Sequence, residues 1–600
     1  MMPENGLVQR TFFAPPRDLE PGELYYTAER GVAVAERRLI RVGPHGRVST
    51  NTYFGRFPAA YWQRWTHAEQ VFVTFEVHGG GLVRLMASDT AGIQRAVDSV
   101  RVGTPEPRAC RLRAALNQFA DGGAFWLELS TGDVPLTVED VRWTVPGPRR
   151  TRGAVVAICT YNRADDCLVT LRTLAGDAEC VAVLDAVYVV DQGADPVCSR
   201  EGFAAVSDEL GPALRYLRQQ NLGGAGGFSR GLYEATAGAP DRWPDVLLMD
   251  DDIALEPDTV LRMIAFAAHT ATPAIVGGQM LQLLHPDRLH VGAERTELPR
   301  LRAGRPVPEA LHNADLTEKN QDIRVDAEYN AWWSCLIPAE ALAKLGYPLP
   351  IFFQWDDIEY GLRARAAGIP TVTMPGFGVW HADFSWKDWD DWARYFSLRN
   401  ALIVSALHGE FDVRATARFL FAELWRYLVS MRYGLARTLI FAVEDFLRGP
   451  ECLADGGAQA VAEVRKLRAE HRETVVQPSC GAPVLPVRLP GPTPSKPGLV
   501  LLKRVLWHLV GRSSGDATIA ARYNHWWHVS LFDTAVVTDP TQSGVRLRRR
   551  DQAQLRAIAY QGTRVVWRFA REARRAQSRY RHSLPELTGR PNWTRLFDVG

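Results

Sequence analysis

An apolar run that breaks abruptly into three carboxylates constrains this chain more than any other segment. Val246 to Met249 has the composition of a buried strand, and Asp250, Asp251 and Asp252 follow it directly. Side chains alternate between the two faces of a strand, so Asp250 and Asp252 are predicted to share one side. Two carboxylates on one side of a strand end suit a hard divalent cation that holds phosphate oxygens. The alternative is a solvated acidic loop.

Composition indicates a globular protein with several domains. The 600 residues suffice for about three domains, and contents of 46% hydrophobic and 23% charged residues are ordinary. The net charge of +2 gives no reason to expect a nucleic-acid partner. The eight cysteines form no C-x-x-C pair, the N-terminus has no signal pattern, and no apolar run is long enough to span a membrane. These features predict a cytoplasmic protein.

Residues 1–148 have the pattern of an antiparallel β-sandwich. Alternating runs at 71–77, 82–86 and 125–129 are separated by glycine-rich turns, of which the three glycines from Gly79 are one. A sandwich of this kind either binds carbohydrate or serves only as a packing surface. We favour the structural role.

Residues 149–395 have the pattern of an α/β domain with a mostly parallel sheet, because predicted strands and helices alternate along them. In chain order the predicted elements are strand 154–158, helix 165–174, strand 187–190, helix 210–217, helix 229–236 after a glycine-rich loop, and a strand that ends at Met249.

Residues 396–600 are predicted to be mainly helical. The tract 478–497 contains seven prolines, which is too many for a helix or a central strand. We expect it to form an extended connector. The basic segment 498–600 should be partly helical.

Polar residues follow the first two strands of the α/β domain, at the edge where open sheets bind nucleotides. Arg163 can reach a uracil carbonyl or a phosphate; the alternative is a helix start capped by Asn162. Gln192, beside Asp191, offers the donor and acceptor that one edge of uracil needs, although Asp-Gln-Gly is also a good turn. Together these residues favour a nucleotide at this edge.

The glycine-rich segment that starts at Asn221 allows the backbone to approach a ligand closely. The helix expected after it would present its N-terminus to phosphate. No Gly-Lys-Ser or Gly-Lys-Thr follows, so the segment is not a P-loop. It is not a dinucleotide fingerprint either, since it does not open the first helix of a βαβ unit.

Three later segments carry candidates for sugar chemistry. Trp332 and Trp333 either belong to the core or offer flat faces against which sugar C–H groups stack. Asp356 and Asp357 either cap the helix that follows or supply a general base for a sugar hydroxyl. His381 is either a satisfied polar residue or a third metal ligand.

Taken together, these segments resemble the polymerising galactofuranosyltransferases of actinobacterial cell walls, which have the GT-A fold of glycosyltransferase family 2. The resemblance implies an α/β GT-A core with an N-terminal β-sandwich and a C-terminal mainly helical region. It spans nearly the whole chain and rests on residues 51–65, NLGGAGGFSR (221–230), MDDDI (249–253), VGGQM (276–280), YNAWW (329–333), WDD (355–357), LRN (398–400) and 533–538.

The resemblance implies an inverting transferase that moves galactofuranose from UDP-galactofuranose to a growing lipid-linked galactan. It implies β-(1→5) and β-(1→6) linkages in cell-wall arabinogalactan. The residues that match family positions are Asp250, Asp252 and His381 as ligands of Mn²⁺ or Mg²⁺, Arg163, Gln192 and Asn221 for uridine, Asp357 as catalytic base, and Asp356, Glu294, Trp332 and Trp333 for the substrates.

Two alternatives to this function stay open. One is a family 2 transferase that uses another nucleotide sugar or another polysaccharide acceptor. The other is a carbohydrate-binding or scaffold protein with an inactive transferase domain. The presence of the metal-ligand residues and of Asp357 argues against the second alternative.

Three residues depart from the family pattern on the acceptor side. Phe384 replaces a tryptophan three residues after His381, Ser397 replaces a histidine before Leu-Arg-Asn, and Gln354 replaces a lysine before Trp-Asp-Asp. These departures bear on the acceptor and the linkage pattern more than on the donor.

Two basic segments predict peripheral contact with the anionic inner face of the cell membrane. Residues 546–581 hold twelve arginines and two acids, with apolar residues at helical spacing and a break near Gly562. In 499–510, Lys503 and Arg504 flank an apolar face. Alternatively, the arginines face solvent or another subunit. No nucleic-acid-binding module accompanies the charge, and a homo-oligomer is expected.

Overall fold

The computed structural model describes residues 6–16, 21–147, 150–384 and 387–597. Antiparallel strands come first, alternating strands and helices follow, and mainly helices come last. This order confirms the predicted fold class. In the part of the chain that the structure describes, every helix is too short or too polar to cross a bilayer.

The first region consists of antiparallel strands. Its elements are β1 (Leu7–Thr11), β2 (Thr27–Arg30), β3 (Ala33–Ala35), β4 (Leu39–Val42), β5 (Arg47–Ser49), α1 (Ala59–Trp65), β6 (Gln70–Ala87), β7 (Arg95–Ala115) and β8 (Phe125–Thr144). Strand β8 pairs with β1, β4, β5 and β6, while β7 pairs with β6, and all of these pairings are antiparallel. The inward side chains form one core with those of the next region.

The two strands predicted at 71–77 and 82–86 are a single strand, β6, and the predicted turn between them is wrong. Strand β6 continues through the glycines with a register shift between Val77 and Gly79. Gly79 has a φ of +104°, and a Cβ there would overlap the carbonyl oxygen of Pro135. Glycine therefore lets the strand bulge and bend where the sequence pattern indicated a reversal.

The second region is an α/β unit. Its elements are β9 (Ala154–Thr160), α2 (Ala164–Ala175), α3 (Ala178–Val181), β10 (Ala186–Asp191), α4 (Phe203–Leu210), β11 (Leu214–Arg218), α5 (Gly223–Ala235), β12 (Asp245–Asp250), β13 (Ala254–Leu255), α6 (Pro257–His269), β14 (Ile275–Gln282), β15 (Arg288–Val291), β16 (Glu294–Glu297), β17 (Arg302–Pro306), β18 (His312–Asp315), β19 (Ser334–Ile337), α7 (Ala339–Leu345), α8 (Asp356–Ala366) and β20 (Thr371–His381).

The main sheet has the strand order β11-β10-β9-β12-β19-β14-β15-β18, and β20 pairs with β14 and β13. Strands β9 to β12 run parallel, whereas β19 is antiparallel to both of its neighbours. Asp191 at the end of β10 is in register with Thr160 of β9, and Asp250 at the end of β12 is in register with Cys159. The carboxyl ends of β9, β10 and β12 therefore meet at one edge.

The helix predicted at 210–217 is mostly a strand. Helix α4 ends at Leu210, and Gly211 and Pro212 follow it in a short 3-10 turn. Strand β11 then extends the sheet beside β10. The prediction failed because the apolar residues on both sides of the break also fit helical spacing.

The glycine-rich segment is the start of a helix, so the predicted loop there is wrong. Helix α5 begins at Gly223 and contains the glycines that follow. A Cβ on Gly227 would overlap the sulfur of Cys159, and a Cβ on Gly231 would lie 2.5 Å from the Cβ of Ala157. The missing side chains let α5 pack directly against β9.

The third region is mainly helical, as predicted. Its elements are α9 (Ala393–His408), α10 (Val413–Val429), α11 (Tyr433–Arg448), α12 (Ala458–Ala469), α13 (Pro497–Leu509), β21 (Asp516–Ile519), α14 (Trp526–Val529), β22 (Thr534–Thr538), β23 (Val545–Arg549), α15 (Gln552–Leu587) and α16 (Arg590–Phe597). The small sheet of β21, β22 and β23 was not anticipated. Residues 482–496 form no helix, in agreement with their proline content.

The packing of helix α15 makes one of the two predicted membrane-binding faces unavailable to a bilayer. The helix runs without a break through Gly562, where a Cβ would overlap the side chain of Leu424 on α10. The glycine therefore permits close helix packing. The apolar residues Leu555 and Phe569 are buried in the core shared with α10 and α11. This apolar face contacts protein and is not free to enter a bilayer.

Candidate active site

Asp250, Asp252 and His381 meet at the carboxyl edge of the sheet. Asp250 ends β12, Asp252 lies two residues beyond it, and His381 ends β20. One ligand atom from each side chain lies within 4.8 Å of the other two. His381 Nε2 is 3.5 Å from an oxygen of Asp252 and 3.9 Å from an oxygen of Asp250. Two carboxylates and one imidazole at this separation can share a divalent cation.

The imidazole of His381 is oriented for such a role. Its Nδ1 lies 2.9 Å from the carbonyl oxygen of Ala382, which assigns the ring proton to Nδ1 and leaves the Nε2 lone pair directed at the carboxylates. Phe384 lies beside the same ring, with 5.7 Å between ring centroids. The first departure from the family pattern therefore contacts a candidate metal ligand directly.

Positive charge lies at this cluster, as the three consecutive carboxylates require. Burial, and then the Asp252 and Asp356 carboxylates, raise the pKa of Asp250 to about 8. Arg163 Nη1 lies 2.5 Å from an oxygen of Asp252. In this structure Arg163 therefore neutralises a candidate metal ligand, and its guanidinium is also within reach of a phosphate bound there.

Lys387 is a second cation at the cluster, and sequence reasoning missed it. Burial lowers the pKa of Lys387, while the carboxylates of Asp391, Asp250 and Asp252 oppose that change. Its ammonium nitrogen lies 5.3 to 5.5 Å from the ring centroids of Phe353, Phe384 and Trp389. Its position between the aromatic residues Phe384 and Trp389 is a local sequence signal that could have identified it.

Asp356 and Asp357 open helix α8 across from the cluster. The N-cap position belongs to Trp355, whose side chain makes no capping hydrogen bond. The Asp357 carboxylate accepts a hydrogen bond from Ile358 N at 2.8 Å, so the alternative role at the start of the helix stays open beside the catalytic one. The segment before it is strained: Phe352, Gln354 and Trp355 have φ values of 72°, 63° and 71°. Such conformations persist only where the surroundings hold them.

The Leu-Arg-Asn motif on α9 holds that strained segment. Asn400 Nδ2 lies 3.0, 2.9 and 2.9 Å from the carbonyl oxygens of Ile351, Phe353 and Gln354. Arg399 donates a hydrogen bond to the same Ile351 oxygen at 2.8 Å. Both side chains are fully buried. They act as positioning residues for Asp356 and Asp357, a role that the motif alone did not indicate.

Three further carboxyl groups shape the electrostatics of Asp357. Burial, and then the carboxylates of Asp356 and Glu294, raise the pKa of Asp357 well above its ordinary value, and Asp250 adds to the effect. Burial raises the pKa of Asp356 to about 6 and that of Glu294 to about 7. A carboxyl group with a raised pKa is suited to accept a proton near neutral pH.

Two of the three predicted uridine-binding residues, Gln192 and Asn221, contact the start of α5, whereas Arg163 precedes α2. The Gln192 amide accepts a hydrogen bond from Leu222 N and donates one to Gly223 O, each at 2.9 Å. Asn221 accepts a hydrogen bond from Gly223 N. The alternative that Asn162 caps α2 is wrong, because its side chain accepts hydrogen bonds from the backbone of residues 194 and 195.

Trp332 and Trp333 are buried, with only 5% and 6% of their surface exposed. Trp332 packs edge-on against Phe228, and Trp333 donates its indole N–H to the carbonyl oxygen of Gly278 at 2.9 Å. The backbone of Trp333 also accepts a hydrogen bond from Asp250 N at 3.3 Å. Both tryptophans therefore belong to the core beneath the site, and little of either ring is available for stacking.

An open α/β sheet with an Asp–Asp–His cluster at its carboxyl edge and a pair of carboxyl groups opposite is the arrangement of a nucleotide-sugar glycosyltransferase of the GT-A fold. In agreement with this class, residues 151–402 match the family model described as glycosyltransferase like family 2. The flanking regions match galactofuranosyltransferase 2 N-terminal over residues 9–146 and galactofuranosyltransferase-2, domain 3, over residues 508–599.

The chain belongs to the galactofuranosyltransferase GlfT2 family. It is 34% identical to galactofuranosyltransferase GlfT2 of Mycolicibacterium smegmatis, over 96% of this chain and 94% of that protein. It is 33% identical to the GlfT2 of Mycobacterium tuberculosis, over 96% and 95% of the two chains. Galactofuranosyltransferase GlfT1 of M. tuberculosis is 29% identical over 37% of this chain and 68% of that protein. The resemblance inferred from the motifs is confirmed.

Proposed function

We propose that this transferase moves galactofuranose from UDP-galactofuranose to a growing lipid-linked galactan and forms β-(1→5) and β-(1→6) linkages with inversion. One observation carries the proposal. The half-buried carboxyl of Asp357, whose pKa is raised, is an electrostatic neighbour of Asp250 in the metal-ligand cluster. This proximity supports a proton acceptor beside a site for the leaving group. The names of the two full-length relatives support the choice of sugar.

The residues divide the reaction between them. Asp357 accepts the proton of the acceptor hydroxyl while the oxygen bonds to the anomeric carbon. The bond from that carbon to the diphosphate breaks on the opposite face, and UDP leaves with the electron pair. Asp250, Asp252 and His381 are the residues that would hold Mn²⁺ or Mg²⁺, which supplies charge neutralisation at the diphosphate. General-base catalysis of this kind contributes roughly 10²–10⁴-fold to the rate.

Substrate contacts are assigned by position. Arg163, Gln192 and Asn221 bind uridine in this proposal, since they line the edge between β9, β10 and α5. Asp356 and Glu294 line the opposite side, beside Asp357. Trp332 and Trp333 contribute only the edges that remain exposed at the floor of the site.

The test uses the full chain, UDP-galactofuranose and a synthetic lipid-linked trisaccharide of galactofuranose, with mass spectrometry of the product. We expect mass increments of one hexose that require a divalent cation, and several increments per acceptor. A panel with UDP-galactopyranose, UDP-glucose and UDP-N-acetylglucosamine serves as the control. Preferred transfer from one of these sugars would replace the proposal with the alternative family 2 activity.

Contact with an anionic membrane is proposed through α13, the second of the two predicted segments. Leu499, Leu502, Leu506 and Leu509 share one face of this helix and are exposed, with 63% of Leu499 and 53% of Leu506 accessible. Lys503, Arg504 and Arg512 lie 4.6 to 5.0 Å from the ring of Trp507. A leucine face bordered by cations and a tryptophan suits the interface of an anionic bilayer.

Co-sedimentation with vesicles of phosphatidylcholine and phosphatidylglycerol tests this contact. We expect binding at low salt that weakens at high salt and is lost in the double variant Leu502→Glu and Leu506→Glu. The matched control, Val32→Glu and Val34→Glu, introduces the same charges at two exposed apolar residues of the first region. Equal binding by both double variants would contradict the role of α13.

Homo-oligomerisation is also part of the proposal. The long helix α15 carries an exposed stripe of alternating arginines and aromatics, Arg556, Tyr560, Arg564, Trp567 and Arg571, which could serve a subunit contact. Light scattering after size-exclusion chromatography measures the mass directly. A monomer mass at micromolar concentration would contradict self-association.

A further inference from the structure

A cavity outside the active site lies where the third region meets strand β17. Its volume is about 380 Å³, within the range of roughly 300–1,000 Å³ that ligand pockets occupy. Residues from β17, α10 and the α14 segment contribute to it. Its lining includes Arg302, Glu423, Arg426, Tyr427, Trp526 and Trp527.

Two tryptophans give this cavity flat apolar surfaces. Trp527 stacks on His525 with 4.3 Å between centroids and an angle of 4°, and Trp526 stands nearly perpendicular to it at 86°. Both indoles are half-buried. The indole N–H of Trp527 is buried and has no hydrogen-bond partner within the described ranges. Because this nitrogen is enclosed, the faces of the two rings and not this N–H are the surfaces open to the cavity.

The charged residues of the cavity are of both signs. Arg426 forms an ion pair with Glu423. Arg432 donates to the Oδ1 of Asn524 at 2.7 Å. Arg302 pairs with Glu297 through its backbone, whereas its exposed side chain has no hydrogen-bond or ion-pair partner among residues 6–16, 21–147, 150–384 and 387–597.

This combination of groups matches the chemistry of a neutral glycan. A carboxylate and guanidinium groups provide acceptors and donors for sugar hydroxyls. The indole faces suit the C–H faces of sugar rings. The lining holds three arginines against one carboxylate, so an anion such as phosphate is the ligand from which a glycan must be distinguished by experiment.

The cavity also borders the acceptor side of the active site. Gly304, two residues after Arg302 on β17, donates its N–H to the hydroxyl of Tyr329 at 2.7 Å. A Cβ on Gly304 would lie 3.6 Å from an oxygen of Glu294. Strand β17 bulges between these positions, because Arg302 and Arg305 pair with Glu297 and Arg295 of β16 and Gly304 has a φ of +67°. Arg302 is therefore within about 7 Å along the chain of Gly304, the residue beside Glu294.

A second connection runs through α9. Arg394 donates hydrogen bonds to the hydroxyl of Tyr427 at 3.0 and 3.2 Å. The same guanidinium lies 3.4 Å from the hydroxyl of Ser397, one of the three departures from the family pattern. Tyr427, which lines the cavity from α10, is thereby hydrogen-bonded to α9, the helix whose Asn400 contacts the segment before Asp356.

We infer that this cavity is a second glycan subsite, which holds sugar residues of the acceptor chain that precede the reacting residue. The inference rests on the proposed function, since it presupposes an oligosaccharide acceptor. Occupation of the subsite by a longer acceptor adds stacking and hydrogen bonds that a short acceptor cannot reach. The subsite thus favours elongation of chains that are already several residues long.

The test compares synthetic β-linked galactofuranosyl acceptors of two and six residues on the same octyl aglycone. In Arg302→Ala, we expect the ratio of KM for the six-residue acceptor to KM for the two-residue acceptor to rise about fivefold, as for loss of one hydrogen bond to the ligand. Trp526→Ala should raise the ratio further. The matched control is Arg300→Ala, which removes an exposed arginine two residues away that does not line the cavity.

Several outcomes would overturn the inference. One is an unchanged KM ratio in Arg302→Ala. Because the side chain of Arg302 is exposed, we expect this variant to fold normally. Equal increases in KM for both acceptors, or the same change in Arg300→Ala, would also overturn it. If inorganic pyrophosphate displaces the six-residue acceptor, the cavity would be assigned to an anionic ligand instead.

Calorimetry separates this inference from the proposed function. Without a nucleotide sugar there is no turnover, so the six-residue acceptor can be titrated into wild type and Arg302→Ala directly. Tighter binding to wild type supports the subsite even if UDP-galactofuranose proves to be the wrong donor. Equal affinities reject the subsite even if galactofuranose transfer is established.

Discussion

The two sides of the active site are built in different ways. The donor side, Asp250, Asp252 and His381, lies at the ends of strands whose register is set by the hydrogen-bond ladder of the sheet. The acceptor side, Asp356 and Asp357, follows a strained segment that has no ladder. Side chains of α9 hold it in place instead. The comparison indicates that the positions of the donor-side residues depend on the backbone of the sheet, whereas the position of Asp357 depends on a few side-chain hydrogen bonds.

Asp357→Asn should separate the two sides most sharply. Asn preserves the shape of the side chain but cannot take the proton, so we expect turnover to fall by roughly 10²–10⁴-fold. The affinity for UDP should be retained, because the donor side is intact. Steady-state UDP release and UDP calorimetry measure the two quantities. Loss of UDP affinity together with turnover would move Asp357 to the donor side.

Asp252→Ala should affect both sides at once. It removes one of the two carboxylates of the cluster and releases Arg163 from its ion pair. We expect turnover to fall about 10²–10³-fold, as for loss of one preorganised electrostatic group, and the affinity for UDP-sugar to fall with it. A metal titration followed by activity provides the measurement. Full activity of this variant in metal-free, EDTA-treated buffer would rule out its metal role.

Asn400→Ala tests whether the acceptor side depends on the hydrogen bonds that Asn400 donates to the strained segment. The substitution removes the donor to three backbone carbonyls of the strained segment, so Asp357 should lose its position. A misplaced catalytic group costs up to about 10²-fold in rate, and we expect a loss of roughly that size in kcat with UDP affinity unchanged.

The control for Asn400 is Ser405→Ala, which removes another buried polar side chain of α9. It should lower thermal stability to a similar or smaller extent without the loss of kcat. If both variants lose kcat in proportion to their stability, the hydrogen bonds of Asn400 contribute to folding only.

The same comparison explains what could be predicted from the sequence. The pairing of Asp250 with Asp252 follows from strand alternation, which is local and regular. For His381 the residues alone left two interpretations open and the family resemblance decided between them, because 129 positions of sequence separate it from Asp252. The role of Asn400 was not predictable, since its partners are backbone carbonyls whose exposure depends on left-handed residues about 45 positions away.

The errors in secondary structure have related causes. The glycines at Gly79, Gly227 and Gly562 indicated a turn, a loop and a break, but each permits close contact with a neighbouring element. The short apolar run around Leu214 fits two periodicities, and its pairing with β10 decides between them. In each case a distant partner that the local pattern does not contain determines the outcome.

The smallest expected effect is a shift of the acidic limb of the pH–rate profile. The size of this shift in different variants ranks the effects of the neighbouring carboxylates on the pKa of Asp357. Its carboxylate must be unprotonated to act as base, and burial together with Asp356 and Glu294 raises its pKa. The acidic limb of kcat/KM therefore lies at higher pH than for an isolated carboxylate. Removing a negative neighbour stabilises the ionised form, so Asp356→Asn should move this limb to lower pH.

Glu294→Gln should move the limb in the same direction but by less, since Glu294 raises the pKa of Asp357 less than Asp356 does. The readout is the position of the limb, so a change in the maximal rate does not obscure it. Asp391→Asn, which removes a carboxylate near Lys387 that is not among the main causes of the raised pKa of Asp357, is the matched control. A limb that stays in place in Asp356→Asn, or that moves to higher pH, would show that another group titrates there and that Asp357 is not the base.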